Sequence, residues 1–335
     1  MEYSVIIRTT GKAGEKYKAL LTSIDKLDPK PQEVIVVLPE GYALPEEQLG
    51  WETFYFSPKG MVKQRMEGVY KCCTPYALVC DDDISFDSDF VTKLAKPIIQ
   101  KKAVFSAAPL YEYFPAKGLN AVVCALMASA VPIVWRKHTR YIGILRSSGY
   151  TYNRSMDESM GIYYEAQSLP WACFFADIEA FKFIRLQEEE IWLEKYGYSA
   201  LDDQTMFYKA YLNGLKTVAV PDARYKHLDA GTSTKNNTSR VLYAWAFNRF
   251  VFWHRFLYLQ QNTAWQRFIT KIAFEYRMFC TTIWDLLSVI RKQMTIGEFK
   301  VSQKGLRDAR EYSRSEEYLQ MPSAVFNKSE EGNNV

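Results

Sequence analysis

The stretch Tyr76-Ala-Leu-Val-Cys-Asp-Asp-Asp-Ile84 is the most informative part of the sequence, because a short apolar run ends there abruptly in three successive carboxylates. Such a run is typical of a buried strand, which would deliver the acidic side chains at its carboxyl end. Adjacent carboxylates repel one another unless a cation or hydrogen-bond donors neutralise them. Hard oxygen ligands suit Mg²⁺ or Mn²⁺, and these ions in turn hold diphosphates. The stretch therefore predicts a metal-assisted ligand site, with a solvated acidic loop as the alternative.

The residues before this stretch alternate between strand and helix patterns. Apolar runs of β-branched residues predict strands, and apolar residues at helical spacing predict helices between them. This order predicts an α/β protein with an open, mostly parallel sheet flanked by helices, whose ligands bind beyond the carboxyl ends of the strands. The predicted strands are residues 3–8, 33–38, 51–56 and 76–80, and the predicted helices are residues 17–27 and 62–71.

Composition restricts the class of protein. The chain has 335 residues, 48% of them hydrophobic, which is enough for one large core. The net charge is only +4, but residues 240–310 contain 12 Lys or Arg against 4 Asp or Glu. No basic low-complexity run indicates nucleic acid as a partner. The GxxxxGKS or GxxxxGKT phosphate loop is also absent from the sequence.

Cysteine spacing and hydropathy indicate the compartment. The six cysteines show no CxxC pair and suggest reduced thiols in a cytoplasmic protein. Met1 leads directly into a strand pattern, so we expect no signal peptide. The longest apolar stretch, residues 121–135, contains Pro132 and is shorter than the roughly 20 residues of a spanning helix. We therefore expect no transmembrane segment.

A resemblance to a known family begins at Lys59-Gly-Met-Val-Lys-Gln-Arg-Met-Glu-Gly68. With the strands around it and the acidic triplet after it, this segment resembles the nucleotide-sugar half of a family 2 glycosyltransferase with the GT-A fold. In that family an Arg-Asn-x-Gly-like helix precedes the strand with the Asp-x-Asp motif. Arg65 and Gly68 match that helix, whereas Met66 replaces the usual Asn.

The resemblance implies roles for several residues. Asp83 would bind Mg²⁺ or Mn²⁺, and the donor would be a nucleotide sugar. Glu40 stands where the family commonly places an Asp that contacts the base or ribose. The nucleotide-sugar contacts implied in this way are Thr9, Glu40, Arg65, Asp81 and Asp82.

A second acidic motif, Leu201-Asp-Asp-Gln-Thr205, opens a predicted helix that Asn213-Gly214 ends. It resembles the family motif whose second acid is the catalytic base. The resemblance therefore implies Asp203 as the base and Asp202 as an acceptor contact. The alternative is that both acids only cap the helix.

Three further features concern the metal and the acceptor. His227 follows the next predicted strand, where many relatives have a His that binds the metal or contacts the diphosphate, and imidazole is compatible with Mn²⁺. The alternative is a surface or core histidine. Trp171 stands where the family has a Gly-containing acceptor loop, so we expect it to contact the acceptor, with a core position as the alternative. The basic, aromatic residues 136–154 suit a sugar or phosphate acceptor, or a solvated surface.

The C-terminal part changes in character after residue 238. Residues 239–312 predict basic, aromatic helices that would pack against the sheet or lie on an anionic membrane surface. The polar residues 313–335 predict a disordered tail. We thus expect a catalytic domain at residues 1–238, with a nucleotide-sugar half (1–110) and an acceptor half (111–238).

The family resemblance implies a metal-dependent glycosyltransferase that moves a sugar from a nucleotide-sugar donor to a hydroxyl of a glycan or lipid-linked acceptor, with inversion. A cytoplasmic protein is expected, and peripheral attachment to the inner membrane face is left open. Two alternatives remain: a metal-dependent nucleotidyl- or phosphotransferase, and a non-catalytic, membrane-associated assembly partner. Release of nucleoside diphosphate would favour the glycosyltransferase, and release of pyrophosphate would favour the nucleotidyltransferase.

Overall fold

The computed structural model describes residues 1–109, 119–128, 140–153, 156, 161–228 and 238–326. Its strands are β1 (Tyr3–Arg8), β2 (Glu33–Pro39), β3 (Thr53–Ser57), β4 (Tyr76–Asp81), β5 (Ile84–Phe86), β6 (Phe105–Ala107), β7 (Ile142–Ile144), β8 (Thr151–Asn153), β9 (Tyr164–Glu165), β10 (Cys173–Asp177), β11 (Thr217–Ala219) and β12 (Tyr225–His227). Its α-helices are α1 (Glu15–Asp25), α2 (Met61–Lys71), α3 (Phe90–Ile99), α4 (Leu119–Met127), α5 (Ile178–Phe183), α6 (Glu190–Leu193), α7 (Asp202–Leu212), α8 (Thr238–Trp253), α9 (Ala264–Ile290), α10 (Ile296–Tyr312) and α11 (Glu316–Leu319). A 3₁₀ turn (Leu186–Glu189) precedes α6, and a π-helical turn (His254–Tyr258) extends α8.

One large sheet organises the described part of the chain. Its strand order is β3-β2-β1-β4-β10-β6-β11-β9. Strands β1, β2, β3 and β4 pair in parallel, as do β6 and β11, whereas β10 and β9 are antiparallel to their neighbours. The expected mostly parallel sheet flanked by helices is confirmed. The chain proceeds from β1 outward to β3 and returns to place β4 on the other side of β1, so a topological switch point lies between β1 and β4.

Both faces of the sheet are covered because its strands carry apolar side chains on both sides. Strand β1 places Val5 and Ile7 in one core cluster and Ile6 in the other. Helix α2 lies directly on this sheet at Gly68, where an added Cβ would stand 2.4 Å from Cγ2 of Ile6. The glycine of the predicted motif is therefore required for helix–sheet contact, which fixes how α2 presents Arg65.

The C-terminal helices share a core with the sheet. Phe247 of α8, Phe274 of α9 and Ala309 of α10 belong to the same buried cluster as Phe174 of β10. Packing against the sheet, one of the two expectations for this region, therefore takes place. No helix in the described ranges has the length and apolar character needed to cross a membrane.

The segment 313–326 belongs to the fold, so the prediction of a disordered tail is wrong for these residues. Tyr318 and Ala324 are buried. Asn213 donates from Nδ2 to the Ala324 carbonyl at 2.9 Å and accepts from the Phe326 amide at 2.7 Å. A few apolar residues thus anchor a segment whose average composition is polar. Residues 327–335 lie outside the described ranges.

Candidate functional site

Asp81 ends β4 at the topological switch point and meets two arginines. Arg8, its partner in the β1–β4 register, donates from Nε and Nη2 to Asp81 Oδ1 at 3.2 and 2.9 Å. Arg65 Nη2 donates to the same oxygen at 2.6 Å. Burial opposes the charge of Arg8, but the attraction of Asp81 and Asp82 outweighs it and raises the pKa of Arg8. The chain itself therefore neutralises the first carboxylate of the triplet.

Asp82, the second carboxylate, points into the protein. Its Oδ2 accepts a hydrogen bond of 2.6 Å from the Thr9 hydroxyl, and both residues are buried. Burial raises the pKa of Asp82 to about 6, although Arg8 and the Thr9 hydrogen bond act in the opposite direction. Thr9 is only 1% exposed, so the geometry makes it a residue that positions Asp82.

Asp83, the third carboxylate, lies beside His227. Strand β12 pairs with β5 so that His227 lies opposite Ile84, and the Leu228 amide donates to the Asp83 carbonyl at 2.7 Å. This ribbon brings His227 Nε2 to 3.4 Å from Asp83 Oδ1. The two residues predicted as metal ligands are therefore brought together.

The side chains of Asp83 and His227 suit a divalent cation that takes its remaining ligands from a bound substrate. A carboxylate and an imidazole suit Mn²⁺. Within the described residues, no three His, Cys, Asp or Glu side chains cluster as a complete metal site. Mg²⁺-type sites commonly use one or two carboxylates and take the remaining ligands from water and substrate phosphates. Asp83 and His227 therefore suit an ion shared with a diphosphate.

Arg65 joins the two acidic motifs. Its guanidinium contacts Asp81 through Nη2 and Asp202 through Nη1, which lies 3.3 Å from Asp202 Oδ2. The side chain is 1% exposed and stacks on Trp171, with Cζ 4.0 Å from the ring centroid. A buried cation between two acids fixes their separation. Removing Arg65 would leave Asp202 without its ion-pair partner and Asp81 with Arg8 alone.

The start of α7 presents the second acidic pair. Leu201 adopts a left-handed conformation (φ 66), which is uncommon for a non-glycine residue and marks a constrained turn. Asp202 accepts from the Asp203 amide at 2.9 Å, and Asp203 accepts from the Gln204 amide at 2.6 Å. Burial raises the pKa of Asp202 to about 7, more than Arg65 lowers it, and burial also raises the pKa of Asp203.

A cavity of about 350 Å³ opens next to this pair. Asp203 lines it together with Gln204, whose Oε1 accepts from the Thr151 hydroxyl at 2.8 Å. Side chains of α8 and α9 form part of the same lining. Asp202 pairs with Arg65, whereas Asp203 borders the cavity, so the two acids have different surroundings. The other lining residues are Ile142, Gly149, Tyr150, Thr151, Ser168, Leu201, Trp245, Arg249, Phe252, Trp253, Phe274 and Arg277.

One predicted contact differs from the position that the structure gives. Trp171 is 4% exposed and lies in the core beneath Arg65, so the predicted acceptor contact is wrong in favour of the core alternative. Asp202 Oδ2 lies 3.3 Å from Arg65 Nη1, and the contact of Asp202 with an acceptor stays a prediction. Glu40 is exposed at the carboxyl end of β2, at the same sheet edge as the triplet.

Arg8 is the site residue that the sequence prediction missed. It ends the β-branched run of β1, and a charged residue in that place faces the carboxyl edge of the sheet. The predicted strands β1 and β4 are parallel, so Arg8 at the end of β1 lies at the same sheet edge as the acidic end of β4. This position could have identified Arg8 as a site residue from the sequence.

Comparison with known proteins gives similarity of fold. No protein family model matches the chain, and no curated protein sequence matches it. The structure of Staphylococcus aureus TarS residues 1–349 in complex with UDP-GlcNAc matches with a TM-score of 0.50 and 14% identity, covering 92% of this chain and 80% of that one.

Two further matches have TM-scores below 0.5. GalNAc-T7 with UDP, GalNAc and Mn²⁺ has a TM-score of 0.48 at 14% identity, covering 83% of this chain and 56% of that one. The mannosyltransferase PcManGT from Pyrobaculum calidifontis, in complex with GDP-Man and Mn²⁺, has 0.44 at 11%, covering 92% and 86%. The TarS match, together with the strand order, confirms the expected GT-A-like fold.

Proposed function

We propose that this chain is a metal-dependent glycosyltransferase that transfers a sugar from a nucleotide-sugar donor to a hydroxyl of a glycan or lipid-linked acceptor. The observation that carries the proposal is the bridge from Asp81 through Arg65 to Asp202, which unites two distant acidic motifs at the switch point of the sheet. Ligands of open α/β sheets bind at such a point. The fold shared with a UDP-GlcNAc-bound protein supports this reading.

The donor side of the site is formed by the acidic triplet. Asp83 and His227 would hold Mg²⁺ or Mn²⁺, which neutralises the diphosphate and makes it a better leaving group when bound. Thr9 fixes Asp82, and the two arginines fix Asp81, so these side chains need little rearrangement when the donor binds. Glu40, at the end of β2, is the proposed contact for the base or ribose.

The acceptor side of the site is the cavity at Asp203. In the proposed mechanism Asp203 accepts the proton of the acceptor hydroxyl while that oxygen attacks the anomeric carbon from the face opposite the leaving diphosphate. Such an attack inverts the anomeric configuration. General-base assistance contributes about 10²- to 10⁴-fold, so positioning and charge neutralisation must supply the rest of the acceleration.

A donor-cleavage panel tests the proposal. The purified chain is incubated with UDP-, GDP-, dTDP- and CMP-sugars with and without Mn²⁺, and the phosphate products are separated. We expect Mn²⁺-dependent release of nucleoside diphosphate from at least one of the nucleoside diphosphate sugars. Nucleoside monophosphate and sugar 1-phosphate as the main products would instead show cleavage between the two phosphates and favour the nucleotidyl- or phosphotransferase alternative, and no turnover with any donor would favour the assembly partner.

The pH dependence of transfer follows from the acidic pair. Burial raises the pKa of Asp202 to about 7 and raises that of Asp203, so both acids take up protons more readily than exposed carboxyls do. A protonated Asp203 cannot accept the acceptor proton, and a protonated Asp202 no longer balances Arg65. Because the acids are coupled, kcat should fall as the pH decreases, through an apparent pKa that lies above that of an exposed carboxyl. A rate that is constant between about pH 5 and 8 would contradict the role of this pair.

We also propose that α9 rests on an anionic membrane surface. Large apolar side chains are exposed along it, including Trp265 (67%) and Phe279 (62%), and Arg267 and Lys271 are exposed beside them. Wide apolar faces with basic residues are typical of helices that lie in the membrane interface.

The membrane proposal is tested by co-sedimentation with vesicles. We expect the chain to bind phosphatidylserine-containing vesicles more strongly than phosphatidylcholine vesicles. Phe279→Ala should weaken that binding roughly tenfold, because burying one large apolar side chain contributes about 1.5–3 kcal/mol. Leu319→Ala, at an equally exposed apolar residue of α11, is the matched control and should have little effect. Equal binding by both variants would exclude α9 as the membrane face.

A further inference from the structure

Two arginines face the acceptor cavity and have no part in the proton transfer described above. Arg249 lies on α8 and Arg277 on α9, and both line the cavity that Asp203 borders. The C-terminal helices thus supply positive charge to a site whose acidic side comes from the sheet domain. An acceptor whose hydroxyl reaches Asp203 through this cavity would lie beside both arginines.

The two guanidinium groups are in an electrostatically unfavourable position. Burial and, to a smaller extent, the charge of Arg249 together lower the pKa of Arg277 to about 9. Burial also lowers the pKa of Arg249, an effect that Asp285 partly opposes. Within the described residues neither arginine has a carboxylate within ion-pair distance of 4.0 Å. An anion that enters the cavity would therefore relieve their repulsion.

Arg277 is held in place, whereas Arg249 remains available for a ligand. Arg277 Nη1 donates to the Ser148 carbonyl at 3.0 Å, and its guanidinium lies 5.7 Å from the Tyr150 ring centroid. Arg249 makes no hydrogen bond to any other residue that the structure describes. A fixed cation with a second cation beside it is a suitable arrangement for a phosphate or carboxylate group, which accepts several charge-assisted hydrogen bonds.

An aromatic side chain lies next to these cations. Trp245 lines the same cavity, is 37% exposed and precedes Arg249 by one helical turn, so the two share a face of α8. An indole face suits the apolar side of a sugar ring, and the neighbouring guanidinium suits an anionic substituent on that sugar or the next one.

We infer that the acceptor is an anionic saccharide, whose phosphate or carboxylate contacts Arg249 and Arg277 while a sugar ring lies against Trp245 and a hydroxyl reaches Asp203. This inference rests on the proposed function, because it takes Asp203 as the base. It narrows the acceptor class from any glycan to one that carries negative charge. A neutral acceptor would bring no negative charge to the two cations, and the Asp203 carboxylate would be the one acidic side chain among the lining residues of the cavity.

The test is a binding experiment that needs no turnover. Glucose 6-phosphate, glucuronate and glucose are titrated into the full chain by calorimetry, in EDTA and without donor, so that metal-assisted diphosphate binding does not contribute. We expect both anionic sugars to bind at least roughly tenfold more tightly than glucose, since hydrogen bonds to charged groups are the stronger ones. A preference for one anionic sugar would identify phosphate or carboxylate as the natural group.

Matched variants locate the binding. Arg249→Gln should weaken binding of the preferred anionic sugar roughly tenfold, as should Arg277→Gln, whereas Arg277→Lys, which keeps the charge, should weaken it less. Arg291→Gln, at the residue that directly follows α9 and outside the cavity lining, is the control and should leave the affinity unchanged. Melting temperatures of the unliganded variants report any loss of folding.

The outcomes separate this inference from the proposed function. Equal affinity for glucose and the anionic sugars, or anion binding unaffected by Arg249→Gln, would overturn the inference even if the chain cleaves nucleotide sugars. Anion binding that depends on Arg249, in a chain that releases no nucleoside diphosphate from any donor, would support the anionic site and contradict the transferase proposal.

Discussion

Replacing Asp203 with asparagine is expected to lower kcat for transfer about 10²- to 10⁴-fold, the usual contribution of a general base. Asparagine has nearly the same shape and can still accept the hydrogen bond from the Gln204 amide, so α7 should keep its first turn. What it loses is the ability to accept a proton from the acceptor hydroxyl. Steady-state kinetics with the donor found by the cleavage panel measure the effect.

The control for this variant is Asp25→Asn, the same chemical change at an exposed residue at the end of α1. It should retain wild-type turnover. Affinity for the nucleoside diphosphate should also be unchanged in Asp203→Asn, because Asp203 borders the acceptor cavity and Asp202 makes the contact with Arg65. Transfer within about threefold of the wild-type rate would remove Asp203 from the role of base.

Replacing Glu189 with leucine is expected to destabilise the chain by about 3–5 kcal/mol, the cost of leaving a buried charge uncompensated. Glu189 is fully buried and binds Lys209 of α7, at 2.9 Å, and Arg255, through both of its carboxylate oxygens. Burial opposes its charge, but the two cations outweigh burial and hold the pKa of Glu189 below its ordinary value. Arg255 also donates to the Pro322 carbonyl, so this cluster connects α7, the C-terminal helices and the tail segment.

Urea unfolding followed by circular dichroism measures this loss through the shift of the midpoint. Glu179→Leu is the matched control, because Glu179 forms an exposed ion pair with Lys182 and such pairs contribute about 0–1 kcal/mol. A Glu189→Leu midpoint equal to that of the control would show that the cluster does not hold the C-terminal helices to α7. Loss of the Glu189 charge at low pH should act in the same direction, because a lowered pKa contributes stability that disappears as the pH falls.

The sequence was sufficient for the elements that depend on local patterns. Strand β1, helix α1 and the acidic end of β4 follow from runs and spacings within a few residues, and the structure has them at the predicted places. Helix α7 likewise begins at Asp202 and ends before Asn213, as the acidic pair and the Asn-Gly stop indicate.

Features that depend on distant contacts were not predictable from these patterns. The Arg65 bridge joins residues 137 positions apart, and only the packing of α2 on the sheet at Gly68 sets its reach. The residue type of Trp171 does not indicate whether its ring contacts an acceptor or packs beneath the Arg65 guanidinium. The ordered tail depends on single contacts, such as the Tyr318 hydroxyl at 2.7 Å from His254 Nδ1, which average composition does not reveal.

The proposed donor site binds a nucleoside diphosphate through a divalent cation held by Asp83 and His227. Calorimetric titration of UDP and GDP into the wild-type chain and Asp83→Asn, with Mn²⁺ and with EDTA, measures this binding. We expect Mn²⁺-dependent binding of at least one nucleotide by the wild type and a loss of affinity of roughly tenfold or more in Asp83→Asn, since outer partners of metal sites alone change affinity 10–100-fold. Binding that is equally strong in EDTA, or unchanged by Asp83→Asn, would contradict it.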